Sequence, residues 1–208
     1  MASVEDTRYA YEHTTDAVKA LLPVGYSGNV YRLSSNWSQV IPLPTTACKI
    51  LEIGCYHGAN VCSLMKTYAT HEKSEIHCVD PWCDYEGYSE YKEKQPTNYS
   101  IFLNNVAKLN PRDIHKLYLY RALSEDAIPK FQDASFDIIF IDGNHETKYI
   151  LEDAVLSFKK LKPGGWIIFD DMQCGEVARS VDAFYKFYKP FIGALAIYDG
   201  QCYMQKVV

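Results

Sequence analysis

Long apolar runs are missing from these 208 residues: no stretch of about 18 apolar residues occurs, and the opening MASVEDTRYAYEHTTDAVKALL has no apolar signal core. Neither a transmembrane helix nor export is therefore expected, and the chain is assigned to the cytoplasm, without a membrane partner. Asn36-Trp37-Ser38 and Asn98-Tyr99-Ser100 match the glycosylation sequon only by chance on that reading. Excess positive charge is missing as well. Lys and Arg number 21 against 26 Asp and Glu, and no dense basic run occurs, which excludes duplex nucleic acid as a partner. No C-x-x-C pair exists among the seven cysteines, whose odd count and scatter argue against a disulfide framework or a zinc site. Cys48, Cys78 and Cys202 lie in or beside apolar runs, where a free thiol acts as a small buried hydrophobe. Internal repeats and low-complexity segments are absent too.

What remains is an ordinary globular composition, 48% hydrophobic and 23% charged, in a chain of one-domain length. Residues 1–208 read as a single domain: an N-terminal cap over 1–45, with a helix from Glu5 to Leu22, and a core over 46–208. From Lys49 onward short apolar runs alternate with helical segments. KILEI, IHCVD, KLYLYRA, FDIIFID and GWIIFDD read as strands, with helices near 58–68, 98–109, 124–131, 146–161 and 176–188. That alternation implies right-handed crossovers and a mostly parallel α/β sheet, doubly wound and Rossmann-like, with helices on both faces. Asp199-Gly200 between GALAIYD and CYMQKVV predicts a closing antiparallel hairpin, because this dipeptide tolerates the positive φ of a type I′ turn. The total is seven strands. The tyrosine-rich stretch 83–99 interrupts the pattern and is expected to overhang the site.

The run KILEIGCYHGANV sets Glu52, Gly54 and Gly58 in an E-x-G-x-x-x-G spacing where the first strand turns into its helix. In a doubly wound sheet ligands lie beyond the carboxyl ends of the strands, so this loop is a natural cradle. Asp80 follows the second strand, where a carboxylate can accept both hydroxyls of a ribose. The phosphate-binding G-x-G-x-x-G is absent, as is a P-loop lysine, which points to an adenosine without a pyrophosphate: S-adenosylmethionine (SAM).

Through KILEIGCYHGAN, CVDPW, FDIIFIDGNH and LKPGGWIIFDDM, residues 49–172 resemble the class I SAM-dependent methyltransferases. The resemblance implies a strand order of 3-2-1-4-5-7-6. It also implies contact of Glu52, Gly54 and Gly58 with the methionine moiety, of Asp80 with the ribose, and of Leu123 and Ser124 with the adenine, with Tyr56, Trp82 and Asp142 as further cofactor contacts. IDGNH followed by a helix and PGGWIIFDD is similar to the metal-assisted O-methyltransferases of sugar or catechol hydroxyls (methyltransferase family 24). Asp142 ends the fourth strand and Asp170 and Asp171 end the fifth, a set of hard oxygen donors suited to Mg²⁺. Successive strand residues face opposite ways, so Asp170 and Asp171 can both ligate only where the strand has already ended; otherwise one caps a helix or loop. His145, three residues past Asp142, is the candidate general base for an acceptor hydroxyl. A small-molecule or sugar acceptor is the expected substrate, and residues 1–45 are a candidate homodimer surface. Three alternatives stay open: a metal-independent methyltransferase acting on an amine, protein or RNA end, a non-catalytic SAM-binding module, and a nicotinamide oxidoreductase.

Overall fold

The computed structural model describes residues 9–86, 88 and 91–208. Seven strands form one sheet in the order β3-β2-β1-β4-β5-β7-β6. These are β1 Lys49–Ile53, β2 Glu75–Val79, β3 Leu117–Tyr120, β4 Phe136–Ile141, β5 Leu161–Phe169, β6 Ile192–Tyr198 and β7 Gln201–Lys206. The first five are parallel, and β7 lies antiparallel between β5 and β6. The expected α/β fold and strand order are both observed. The hairpin turn has φ of 49° at Asp199 and 73° at Gly200, positive at both central positions as a type I′ turn requires.

Helices α1 Asp16–Lys19, α2 Ala59–Leu64, α3 Gln95–Val106, α4 Pro111–Ile114, α5 Ser124–Ala127, α6 Thr147–Lys160 and α7 Gly175–Tyr188 fill the connections. Strand residues alternate between two cores, as the two-residue pleat demands. Ile50, Ile138 and Ile168 face a core shared with α2 and α3, while Leu51, Ile139 and Ile167 face one shared with α6 and α7. Cys48, Cys78 and Cys202 are buried as expected. Among the described residues no helix is long and apolar enough to cross a membrane.

The N-terminal segment departs from expectation. A helix from Glu5 to Leu22 does not form over its described part: Ala10 bridges to Asn29, a 3-10 turn covers Tyr11–His13, and only Asp16–Lys19 is α-helical. Residues 5–8 lie outside the described residues. Thr14 and Thr15 break the helix, since their hydroxyls serve local backbone groups instead: Thr14 donates to the Tyr11 carbonyl at 2.8 Å and Thr15 caps the Val18 N–H. Beyond it, Leu22, Tyr26, Val30, Leu33, Trp37 and Ile41 are buried in the core on the α2 side. Trp37 packs 5.5 Å from Tyr68 and 5.2 Å from Phe140, ring centre to ring centre. This arm is part of the packed interior and delivers its polar residues to the carboxyl edge of the sheet.

Candidate functional site

The loops after β1, β2, β4 and β5 meet the arm at that edge around a cavity of about 510 Å³. The glycine loop is shaped by close backbone approach. Gly54 has φ +82°, and a Cβ there would lie 2.0 Å from the carbonyl oxygen of Asp142. Gly58 has φ +81° and starts α2 against the ring of Phe102. Asp80 holds the loop from the neighbouring strand: one carboxylate oxygen accepts from the N–H groups of Cys55 (2.9 Å) and Tyr56 (3.0 Å), the other from Trp82 (2.8 Å). Burial raises the Asp80 carboxyl above its ordinary range, against the pull of these three bonds. Trp82, fully buried beside Tyr99 and Phe102, returns a bond from Nε1 to the Tyr56 carbonyl at 3.0 Å.

Of the residues singled out as cofactor contacts, Gly54, Tyr56, Asp80, Leu123, Ser124 and Asp142 line the cavity. Glu52, Gly58 and Trp82 do not; they sit behind the loop and shape it. Glu52 points toward α2, accepts from Asn60 Nδ2 at 3.0 Å, and is pushed up to about 8 by burial. Asn60 in turn accepts from the Ser34 N–H at 2.7 Å, which ties the arm to the base of the loop.

Beside the loop, β5 ends at Phe169, so Asp170 and Asp171 follow the strand and are freed from its alternation. Asp171 takes φ +54°, and Asp142, His145 and Asp171 each bring a donor atom within 4.8 Å of the others. His145 Nε2 lies 3.0 Å from Asp171 Oδ2. Asp170 turns inward instead, is 4% exposed, and accepts from the Asp171 N–H at 2.8 Å. Burial, then the charges of Asp170 and Asp171, drive the Asp142 carboxyl well above its ordinary range; burial and Asp171 raise Asp170 to about 6. Burial also acts to raise Asp171, but the bond and charge of His145, with Gln173 and Arg32, outweigh it and leave Asp171 lowered. The cluster is thus an excess of negative charge with one histidine in it.

Several lining residues escaped the sequence reading. Arg32 reaches from the arm to place Nη1 3.2 Å from an oxygen of both Asp170 and Asp171, and its Nη2 donates to Gln173 Oε1 at 3.3 Å. Tyr31 and Tyr149 add aromatic walls; Tyr85 and Tyr88, from the stretch 83–99 expected to overhang the site, line the cavity as well, and Asn144 donates to the Tyr85 hydroxyl at 3.2 Å. Nothing local marks Arg32, whose partners lie far along the chain. Asp153 was detectable: it is a carboxylate among Ile150, Ala154 and Phe158, the apolar face of α6.

Residues 51–172 match the family described as a methyltransferase domain. Protein R132 of Acanthamoeba polyphaga mimivirus is 29% identical over 126 residues, 59% of this chain, and the chain spans about half, 51%, of that curated relative. Among solved structures, the O-methyltransferase TomG of Streptomyces achromogenes, involved in tomaymycin synthesis and in complex with SAM, superposes with a TM-score of 0.59 at 16% identity, over 78% of this chain and 74% of its own. Podospora anserina PaMTH1, bound to S-adenosylhomocysteine (SAH), gives 0.56 at 20% identity over 77% and 72%. MycE of the mycinamycin pathway, in complex with Mg, SAH and mycinamycin VI, gives 0.51 at 14% over 77% and 45%. At these identities the structural likeness is one of fold. With more than half of the chain inside the family match, and the seven-stranded sheet in the order that family requires, the protein belongs to the class I SAM-dependent methyltransferases.

Proposed function

We propose that this chain transfers a methyl group from SAM to a hydroxyl of a small molecule, with a divalent cation at the acidic cluster. The observation that carries the reading is the shared cavity, in which the Asp80-held glycine loop and the Asp142, His145 and Asp171 cluster open onto one space. In TomG and MycE, SAM or SAH is bound on the same fold, and in MycE Mg as well. Gly54 and Tyr56 would receive the methionine portion, Asp80 the ribose, and Leu123 and Ser124 the adenine. Asp80 would exchange backbone partners for ribose hydroxyls.

The donors fit a hard cation: two carboxylates and an imidazole within 4.8 Å, with the carboxylate of Asp170 beside them. Asp142 and Asp171 would hold Mg²⁺, with Asp170 supporting Asp171. When bound, the ion supplies a lowered pKa for an acceptor hydroxyl. His145, oriented by Asp171, would take the hydroxyl proton, and SAM would supply the methyl group to that oxygen, its carbon–sulfur bond breaking to leave SAH. Tyr85, Tyr88 and Tyr149 shield the reacting centre from water and offer flat faces to a ring or sugar acceptor.

One observation favours a metal-independent variant: Arg32 already contacts both Asp170 and Asp171 and supplies a fixed positive charge. Methyl transfer to a hydroxyl acceptor panel, with and without chelator and in His145→Ala, separates the two. Loss in both arms supports the metal and base roles, chelator-insensitive turnover supports the Arg32 variant, and absence of SAM binding by calorimetry refutes both.

A further inference from the structure

His57 belongs to the glycine loop but does not line the cavity; 6% of its surface is exposed, and its ring is closed between the arm and α3. The backbone N–H of Asn29 donates to Nδ1 at 3.1 Å. A neutral imidazole that accepts at one nitrogen carries its proton on the other, so Nε2 donates to Oδ1 of Asn98, also at 3.1 Å. The arm comes this close because residue 28 is glycine: φ is +102°, and a Cβ there would fall 2.4 Å from Nδ1. A second tie closes around the backbone. Asn105 of α3 donates from Nδ2 to the carbonyls of His57 (2.9 Å) and Ser27 (2.8 Å), and its Oδ1 accepts from the Ser27 N–H at 3.0 Å. The partners of His57 lie 28, 41 and 48 residues away in the chain, so no local pattern marks it.

The ring also sets its neighbour. Tyr56 stacks on His57 with ring centres 3.7 Å apart, and on Tyr91 at 4.8 Å. Tyr56 holds φ +47°, a backbone region that residues other than glycine rarely occupy, and it lines the cavity together with Tyr31, Arg32 and Leu33 of the arm. We propose that His57 is a positioning residue that locks the arm to the glycine loop, so that Tyr56 and the arm's wall of the cavity act as one body and cofactor binding is coupled to docking of the arm. The proposal rests on the SAM-binding reading above. Each imidazole nitrogen holds a different element, Nδ1 the arm and Nε2 α3, which makes the two ties separable by substitution. A ligand that needs both walls binds the docked arm better than the open one, and by linkage it stabilises docking by the same factor.

The test is calorimetric SAH binding together with amide hydrogen exchange at Asn29, in wild type, His57→Asn, His57→Gln and His57→Phe. Asn29 should exchange faster than Met204 of the interior strand β7, showing that the arm opens without global unfolding, and saturating SAH should slow Asn29 by at least about tenfold. An asparagine oxygen can stand in for Nδ1, and a glutamine nitrogen for Nε2. His57→Asn should therefore keep most of the slowing, whereas His57→Gln and His57→Phe should lose it and bind SAH about tenfold more weakly. A merely structural role would weaken SAH alike in all three variants, and that result overturns the proposal. So does wild-type exchange at Asn29 that matches Met204, or that SAH leaves unchanged while calorimetry shows it bound; neither depends on a variant that folds. Absence of SAH binding by wild type, read from the calorimetry alone, removes the cofactor reading and the coupling together.

Discussion

Gly54→Ala isolates the contact on which the glycine loop depends. Two costs add at this position. The backbone sits at φ +82°, where an L-residue loses about 1–2 kcal/mol. The new Cβ would also fall 2.0 Å from the Asp142 carbonyl oxygen and 2.8 Å from the Gly143 Cα, backbone that cannot rotate aside, so the β1 and β4 loops must separate. Overpacking of this kind costs about 3 kcal/mol when the obstacle is rigid. The sum, about 4–5 kcal/mol, corresponds to a fall in Tm of roughly 8–20 °C for a chain of this size. Gly164→Ala is the internal control: φ is +81° but no atom lies within 4 Å of the added carbon, so only the conformational cost applies, and a fall of about 2–8 °C is expected. Thermal unfolding by circular dichroism compares the two, and calorimetry adds the prediction that Gly54→Ala loses SAH binding while Gly164→Ala keeps it. Equal melting losses in the two variants would show that the steric contact with Asp142 carries no weight.

Three further outcomes are expected. Glu52 is held near 8 by burial, above its unfolded value of 4.5, so its contribution to stability is full below pH 4.5 and is lost as pH rises through 8, at up to about 1.4 kcal/mol per unit. Glu52→Gln, which keeps an oxygen for Asn60, should flatten the decline in urea midpoint between pH 6 and 9, and an unchanged slope contradicts the assignment. Arg32→Gln removes a guanidinium charge in contact with both Asp170 and Asp171, so the variant should melt lower without metal and bind Mg²⁺ or Mn²⁺ about tenfold more tightly in a thermal-shift titration; equal affinity would mean Arg32 and the ion do not share these carboxylates. Trp82→Phe deletes the 3.0 Å bond to the Tyr56 carbonyl and should cost about 1 kcal/mol of stability and weaken SAH binding, whereas a change in stability alone would place the bond outside cofactor recognition.

The sheet was legible because its apolar runs are short and punctuated, and Asp199-Gly200 announced its own turn. The arm was not. Leu22, Tyr26, Val30, Leu33, Trp37 and Ile41 recur every three or four residues as on a helix, but Pro23, Gly25 and Gly28 break any continuous helix there, so an irregular segment that fills the core looks in sequence like a surface cap. The same limit governs the site. The E-x-G-x-x-x-G spacing located the loop and the family resemblance implied a ligand contact for Glu52, but strict alternation in β1 puts Glu52 on the same face as Ile50, toward α2 and away from the cavity. The sequence names Asp170 and Asp171 together as metal donors on the condition that the strand has ended before them; β5 does end at Phe169, yet only Asp171 joins the Asp142 and His145 donors. What decides between them is the end of β5 at Phe169 and the positive φ of Asp171, which swing one carboxylate to His145 and leave the other beneath it. Local patterns therefore name the residues of such a cluster, but the backbone reversal that divides their work is set by tertiary contacts. Of these the clearest is Arg32, which pairs with the two carboxylates from 138 and 139 residues away in the chain.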